Sequence, residues 1–244
     1  MSIFKIKPLA LFVILVLTLG VWSVSVKADG LTIGVKGAGN LLYTEAYETN
    51  EDGAETDKGD RTEEALIPSI FLEYNFGEMG NIGDSWIVGV DYIPLKPEIA
   101  DENRVTSDIT AEHDNTTNNN SNTVTQKAKA DLKFHTTLYV ETPGFWGGFY
   151  GKAGGIMTLL QTEENLGSGS TYPNQTILGA VAGIGFKRYL GNLVTKLEAS
   201  YTAYETININ ARTAGEASGV TQGANKITAD PEAYALSFSL GYAF

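Results

Sequence analysis

The chain has 244 residues, 43% of them apolar and only 19% charged, with a formal net charge of −12. That is enough chain for one sizeable domain, and its acidity makes nucleic acid a poor partner. It contains no cysteine, which excludes disulfides, thiol catalysis and thiolate metal sites.

The N-terminus reads as a targeting segment. Lys5 and Lys7 make a basic start, residues 8–26 are apolar or small, and Val26-Lys27-Ala28 has the small-x-small form of a cleavage site. Residues 1–28 are expected to be a signal peptide and 29–244 the mature chain. An uncleaved anchor is the alternative reading of the same stretch. Loss of Lys5, Lys7 and Lys27 would take the net charge from −12 to −15. No later stretch reaches the roughly 18 unbroken apolar residues of a membrane helix.

After this segment, large apolar residues recur at every second position. Residues 31–43 set Leu31, Ile33, Val35, Leu41 and Tyr43 against Thr32, Lys36 and Asn40. Residues 66–76 set Leu66, Ile70, Leu72, Tyr74 and Phe76 against Ser69, Glu73 and Asn75. Residues 85–95 set Trp86, Val88, Val90 and Tyr92 against Gly89 and Asp91. Residues 127–141 carry the clearest polar face, from Lys127 and Lys129 through Asp131, Lys133 and His135 to Thr137, against Leu132, Phe134, Leu138 and Val140. The alternation returns at 148–160, where Lys152 and Thr158 oppose Phe149, Met157 and Leu159. At 176–190, Leu178, Ile184 and Phe186 oppose Gly183, Gly185 and Lys187, and at 193–204 Leu193, Leu197 and Tyr201 oppose Lys196, Glu198 and Ser200.

The final segment, YALSFSLGYAF, is the strictest. Tyr234, Leu236, Phe238, Leu240, Tyr242 and Phe244 alternate with Ala, Ser and Gly alone. Period 2 is the signature of a strand between two unlike environments. The eight segments run to about 11–15 residues, beyond the roughly 5–6 of an ordinary strand and enough for the 9–11 of a tilted membrane-spanning one.

The connections alternate as well: long and acidic (45–65), short, long and Asn-rich (from about 96), short (PGFWG), long, minimal (LGN), long. A meander with short turns at one end and long loops at the other gives this order. A soluble sandwich or lipocalin-like barrel would share the alternation but turn its apolar face inward. Three features favour the inverted arrangement. The leader permits export, the second face is too small and dry to meet solvent, and aromatic residues gather toward the strand ends where interfacial girdles sit.

On these residues the chain resembles the small bacterial outer-membrane β-barrels of the OmpA/OmpX/OmpW kind. The fold expected is all-β: an eight-stranded antiparallel up-and-down transmembrane barrel with short periplasmic turns and long extracellular loops. The resemblance also implies partners, namely outer-membrane lipid, lipopolysaccharide and, during biogenesis, periplasmic chaperones and the barrel-assembly machinery. The last strand, with Phe244 final and Tyr242 two before it, is similar to the assembly signal which that machinery reads. Tyr234, Leu236, Phe238 and Leu240 would then face lipid.

Charges on the inner face follow from the same alternation. Lys36, Glu73, Asp91, Asp131, Lys133, His135, Lys152, Lys187, Lys196 and Glu198 are expected in the lumen. Both signs on one narrow inner wall imply a paired network, because unpaired charge there is costly. No cofactor or metal is expected. His135-Thr136-Thr137 with Glu141 only faintly suggests a hydrolase, and the acids of 45–65 lack the fixed spacing of a calcium loop. The glycine runs GVKGAGN and GKAGGIM lie within strands, so they are not phosphate loops. The expected role is non-enzymatic, structural or surface-interacting. A narrow channel for small solutes or ions is the alternative, and a lipid-modifying enzyme a third.

Overall fold

The computed structural model describes residues 30–49, 55–77, 85–107, 123–165, 172–210 and 226–244. The expected signal peptide, His113 and the Asn-rich run lie outside the described residues.

The described chain is all strand and turn. In order the strands are β1 (Leu31–Thr49), β2 (Glu55–Asn75), β3 (Ile87–Tyr92), β4 (Glu98–Ser107), β5 (Thr123–Glu141), β6 (Phe149–Asn165), β7 (Gln175–Leu190), β8 (Leu193–Tyr204), β9 (Ile207–Asn210) and β10 (Lys226–Ala243). β3 and β4 form one stave interrupted at 93–97, where Pro94 and Pro97 cannot donate to a ladder. β8 and β9 form another, interrupted at 205–206. The eight staves pair antiparallel with their sequence neighbours, and β1 pairs with β10 to close the barrel.

The two faces settle which kind of barrel this is. Leu66, Phe134, Ile184, Leu236 and Phe238 are each more than half exposed, in a band that runs round the outside. Glu73, Asp91, Lys152, Lys187, Lys196 and Glu198 are buried within. A water-soluble barrel would reverse this. Lipid demands an apolar exterior, and the β1–β10 ladder closes the sheet into a barrel.

Several strands run past any bilayer. β1, β2 and β5 have 19, 21 and 19 residues, about twice what a crossing needs. The acidic stretch expected as the first loop is therefore largely ladder: β1 continues to Thr49 and β2 starts at Glu55. The third connection likewise holds β4, and the seventh holds β9 and the start of β10. Polar alternation above the membrane is weak evidence for a strand, because neither face has an apolar environment to mark it.

Two irregularities shape the wall. In β5 the register against β6 slips between Lys133 and Thr136, and Phe134 takes a positive φ of 55°. This is a β-bulge, one extra residue on one strand. The bulge lies beside the break in the third stave, where the Ile93 amide donates to the His135 carbonyl at 3.0 Å and the Leu132 amide to the Pro97 carbonyl at 3.0 Å. Second, the β2–β3 ladder ends at Ile70 and Tyr92, and β4 pairs with β5. Among the described residues, β2 beyond Ile70 is paired on its β1 side alone.

Candidate functional site: the two halves of the lumen

The half of the lumen near the short turns is filled by ions and rings. Lys196 Nζ donates to Glu141 Oε1 at 2.6 Å and also to Glu73. Lys187 Nζ reaches the other oxygen of Glu141 at 3.3 Å. Lys152 Nζ donates to Glu198 Oε1 at 3.0 Å, and the Tyr150 hydroxyl to Glu198 Oε2 at 2.9 Å. The Tyr139 hydroxyl donates to Glu73 at 2.7 Å. Lys36 pairs with Asp91 at the upper margin of the group. Four lysines thus meet four carboxylates, and the assembly is neutral.

The aromatic rings complete the packing. Lys152 Nζ sits 4.0 Å from the centre of the Tyr139 ring and Lys187 Nζ 4.9 Å from that of Tyr150. Such contacts add cation–π attraction to the ion pairs. Glycine makes the rings fit: a Cβ at Gly89 would collide with the Tyr139 ring, and one at Gly185 with Tyr150. Inner-face glycine in this half is thus a partner of inner-face tyrosine across the ladder.

Buried ions of this kind cost several kcal/mol each to desolvate, and attraction offsets that only when every group is engaged. Here each acid and each amine has a partner. The arrangement is a fixed plug, since moving one member would strand another.

The half nearer the long connections is different. Above Lys36 and Lys152 the inner wall carries Ala38, Ala65, Ile156, Val181, Ala233 and Ala235, and a cavity of about 120 Å³ remains. An apolar cluster of Leu160, Ile177, Ile207, Ile209 and Ala229 lies further from the turns, with Leu132, Tyr172 and Tyr204 packed against it. Ile207 and Ile209 come from β9, which turns these two side chains inward.

Of the expected lumen residues, Lys36, Glu73, Asp91, Lys152, Lys187, Lys196 and Glu198 are brought together in the plug or at its edge. His135 lines the cavity, its Nε2 3.0 Å from the Tyr204 hydroxyl. Asp131 and Lys133 are corrections. The bulge reverses the alternation, so that Leu132, paired with Leu160, faces the interior. Asp131 and Lys133 flank it in sequence and project to the other face. Asp131 is covered there, 3.4 Å from Lys129.

Sequence reasoning missed Glu141, the acid shared by two lysines. It is the last residue of β5 and on the same parity as His135 and Thr137, which could have revealed it. It also missed Phe71, Tyr139 and Tyr150 as filling, because large aromatics on a polar face break the rule used to find that face. The faint hydrolase constellation does not assemble, since Glu141 is engaged by Lys196 and Lys187 while His135 meets Tyr204. Among the described residues no group of three or more His, Asp or Glu is placed to hold a metal. In the final strand, Tyr234, Leu236 and Phe238 stand on the exposed face, and the Tyr242 and Phe244 rings lie 5.1 Å apart, edge to face.

No protein-family model matches the chain, and no curated protein does either. Solved structures match in architecture. The outer membrane protein OprG from Pseudomonas aeruginosa is similar over 86% of this chain and 97% of its own, at 15% identity and a TM-score of 0.41. The outer membrane protease OmpT from Escherichia coli is similar over 91% and 99%, at 10% identity and a TM-score of 0.46. Ail, the attachment invasion locus protein of Yersinia pestis, is similar over 88% and 99%, at 15% identity and a TM-score of 0.33.

Proposed function

We propose that this closed eight-stave barrel, with its apolar exterior, is exported to the bacterial outer membrane, with its turns at the periplasm, and serves there as a non-enzymatic, non-conducting barrel. Its role is structural or surface-interacting. One observation carries this reading: Lys196, 4% exposed, bridges Glu73 and Glu141 across the lumen. Within this neutral, paired, ring-packed plug the space that remains is about 10 Å³, on the order of a single water, which supports a closed axis. The outward staves meanwhile present acids side by side, as the register of Asp230, Glu45 and Asp60 across β10, β1 and β2 illustrates. Lipopolysaccharide and surface partners would meet that rim, and Tyr242 and Phe244 would serve assembly.

Planar bilayers test the reading. The purified full-length protein is expected to give no discrete openings. Stepwise conductance with the wild-type network intact would sink it.

A second reading, passage of small solutes, is favoured by a single feature: among the described residues the β2–β3 ladder stops at Ile70, with the cavity behind it. Such passage would run sideways through the wall, and the axial plug would stay closed. Uptake of a small uncharged solute into cells, without bilayer conductance, would support it.

A further inference from the structure

The cavity carries polar groups that the plug does not use. Ser69 and His135 are 3% and 8% exposed, and both line it. Among the described residues neither Ser69 Oγ nor His135 Nδ1 has a hydrogen-bond partner. Buried polar atoms in folded proteins nearly always have one, and each that lacks one costs about 1–3 kcal/mol. The two sit on either side of the third stave at one level: Ser69 is next to Ile70, the last β2 partner of Tyr92, and Ile93 donates to the His135 carbonyl.

We propose that this outer half-lumen is a binding site for a small, neutral amphiphile whose hydroxyl or carbonyl oxygen is held by Ser69 and His135. The inference goes beyond the non-conducting reading and stands whether or not solutes cross the barrel.

Three features define the ligand class. Size comes first: about 120 Å³ is a little less than a cavity known to take benzene, so one ring or roughly six heavy atoms fit. Neutrality comes second. The lysines at the floor, Lys36 and Lys152, are paired with Asp91 and Glu198, so a charged ligand would be desolvated without a free counter-charge. Polarity comes third. Ala38, Ala65, Ile156, Val181 and Ala235 suit an apolar body; of the polar side chains that also line the cavity, such as Asn40, Ser200 and Thr202, Ser69 and His135 are the ones with unpartnered buried atoms among the described residues, and they suit one polar atom of the ligand.

His135 is versatile in this role. If the Tyr204 hydroxyl donates to Nε2, Nδ1 carries the proton and donates to a ligand oxygen. If Nε2 donates to Tyr204, Nδ1 accepts from a ligand hydroxyl. Tyr204 fixes the ring through Nε2 and is itself part of the cavity wall.

Phenol, benzene and benzoate are suitable probes, titrated into the full-length barrel in detergent micelles with His135 observed by side-chain ¹⁵N NMR. Phenol is expected to bind saturably and shift the His135 ring nitrogens. Benzene should bind about tenfold more weakly and benzoate not measurably, since the former forfeits a hydrogen bond and the latter adds a charge. Ser69→Ala should weaken phenol about tenfold. Ala235→Leu, which fills the cavity, should abolish binding. Heat-modifiable gel migration verifies that each variant is folded. The proposal is overturned if phenol leaves His135 unshifted, if benzene or benzoate binds as tightly, or if folded Ala235→Leu binds like wild type.

Discussion

The two halves of the lumen use the same staves and the same alternation, yet they solve opposite problems. The turn-side half is full: lysines, carboxylates and tyrosines occupy the axis, and glycines make room for the rings. The loop-side half is lined by alanine, valine and isoleucine together with small polar residues such as Asn40, Ser200 and Thr202, and keeps about 120 Å³ open. The comparison teaches that small inner-face residues have two meanings in a barrel. Opposite a large ring, a glycine completes packing. Opposite another small residue, an alanine leaves space.

The sharpest way to break this contrast is to remove the hub of the full half. Lys196→Met would leave Glu73 and Glu141 buried around a missing cation, with Lys187 alone to serve Glu141. A loss of about 3–5 kcal/mol is expected, read as a lower urea midpoint for the heat-modifiable form. An unchanged midpoint would mean that the plug does not hold the barrel together.

A paired deletion should cost far less. Lys36→Met alone strands Asp91, whereas Lys36→Met with Asp91→Leu removes both charges from the border between the halves. The double variant is expected to lie within about 1 kcal/mol of wild type and above the single one. A double variant less stable than the single would show that the ion pair does more than satisfy itself.

Adding carbon to each half gives the next contrast. Gly185→Ala drives a methyl into the Tyr150 ring and should cost about 1–3 kcal/mol. Ala235→Leu adds three carbons beside the open cavity and should cost less than about 1 kcal/mol. Equal costs in thermal melts of the two variants would erase the distinction between the halves.

The smallest effect concerns the bulge. The natural chain has no cysteine, so single-cysteine variants give clean labels. Lys133→Cys should react readily with a membrane-impermeant maleimide in intact cells, and Leu132→Cys slowly. Stability should barely move for Lys133→Cys, a change on the outer face. Reversed reactivity would restore uninterrupted alternation along β5.

These experiments bear on what could be read beforehand. Strand positions were legible wherever one face met lipid: Tyr234, Leu236 and Phe238 announce β10 because the bilayer rejects polar and charged side chains there. The strand extensions to Thr49, from Glu55 and through β4 were not, because above the membrane both faces meet water. Within the site, Lys36, Glu73, Lys152, Lys187, Lys196 and Glu198 were legible as charges on an inner face. Glu141 was hidden by its place at a strand end, and Tyr139 and Tyr150 by being large on the side expected to be small.

By itself, then, the order of residues determined a barrel with a lipid-facing band and an inner wall of mixed charge, because alternation is a local property and the membrane filters it severely. It also determined that the inner charges must pair. Which charge meets which was decided only by closure, which places β8 opposite β2 and β5 so that Lys196 can reach both Glu73 and Glu141. The reversal at Phe134 was likewise beyond sequence, since one extra residue in a ladder leaves no mark on composition. The division of the lumen into a plugged half and an open one is tertiary too: it depends on which small side chain stands across from which ring, and that pairing exists only once the staves have joined.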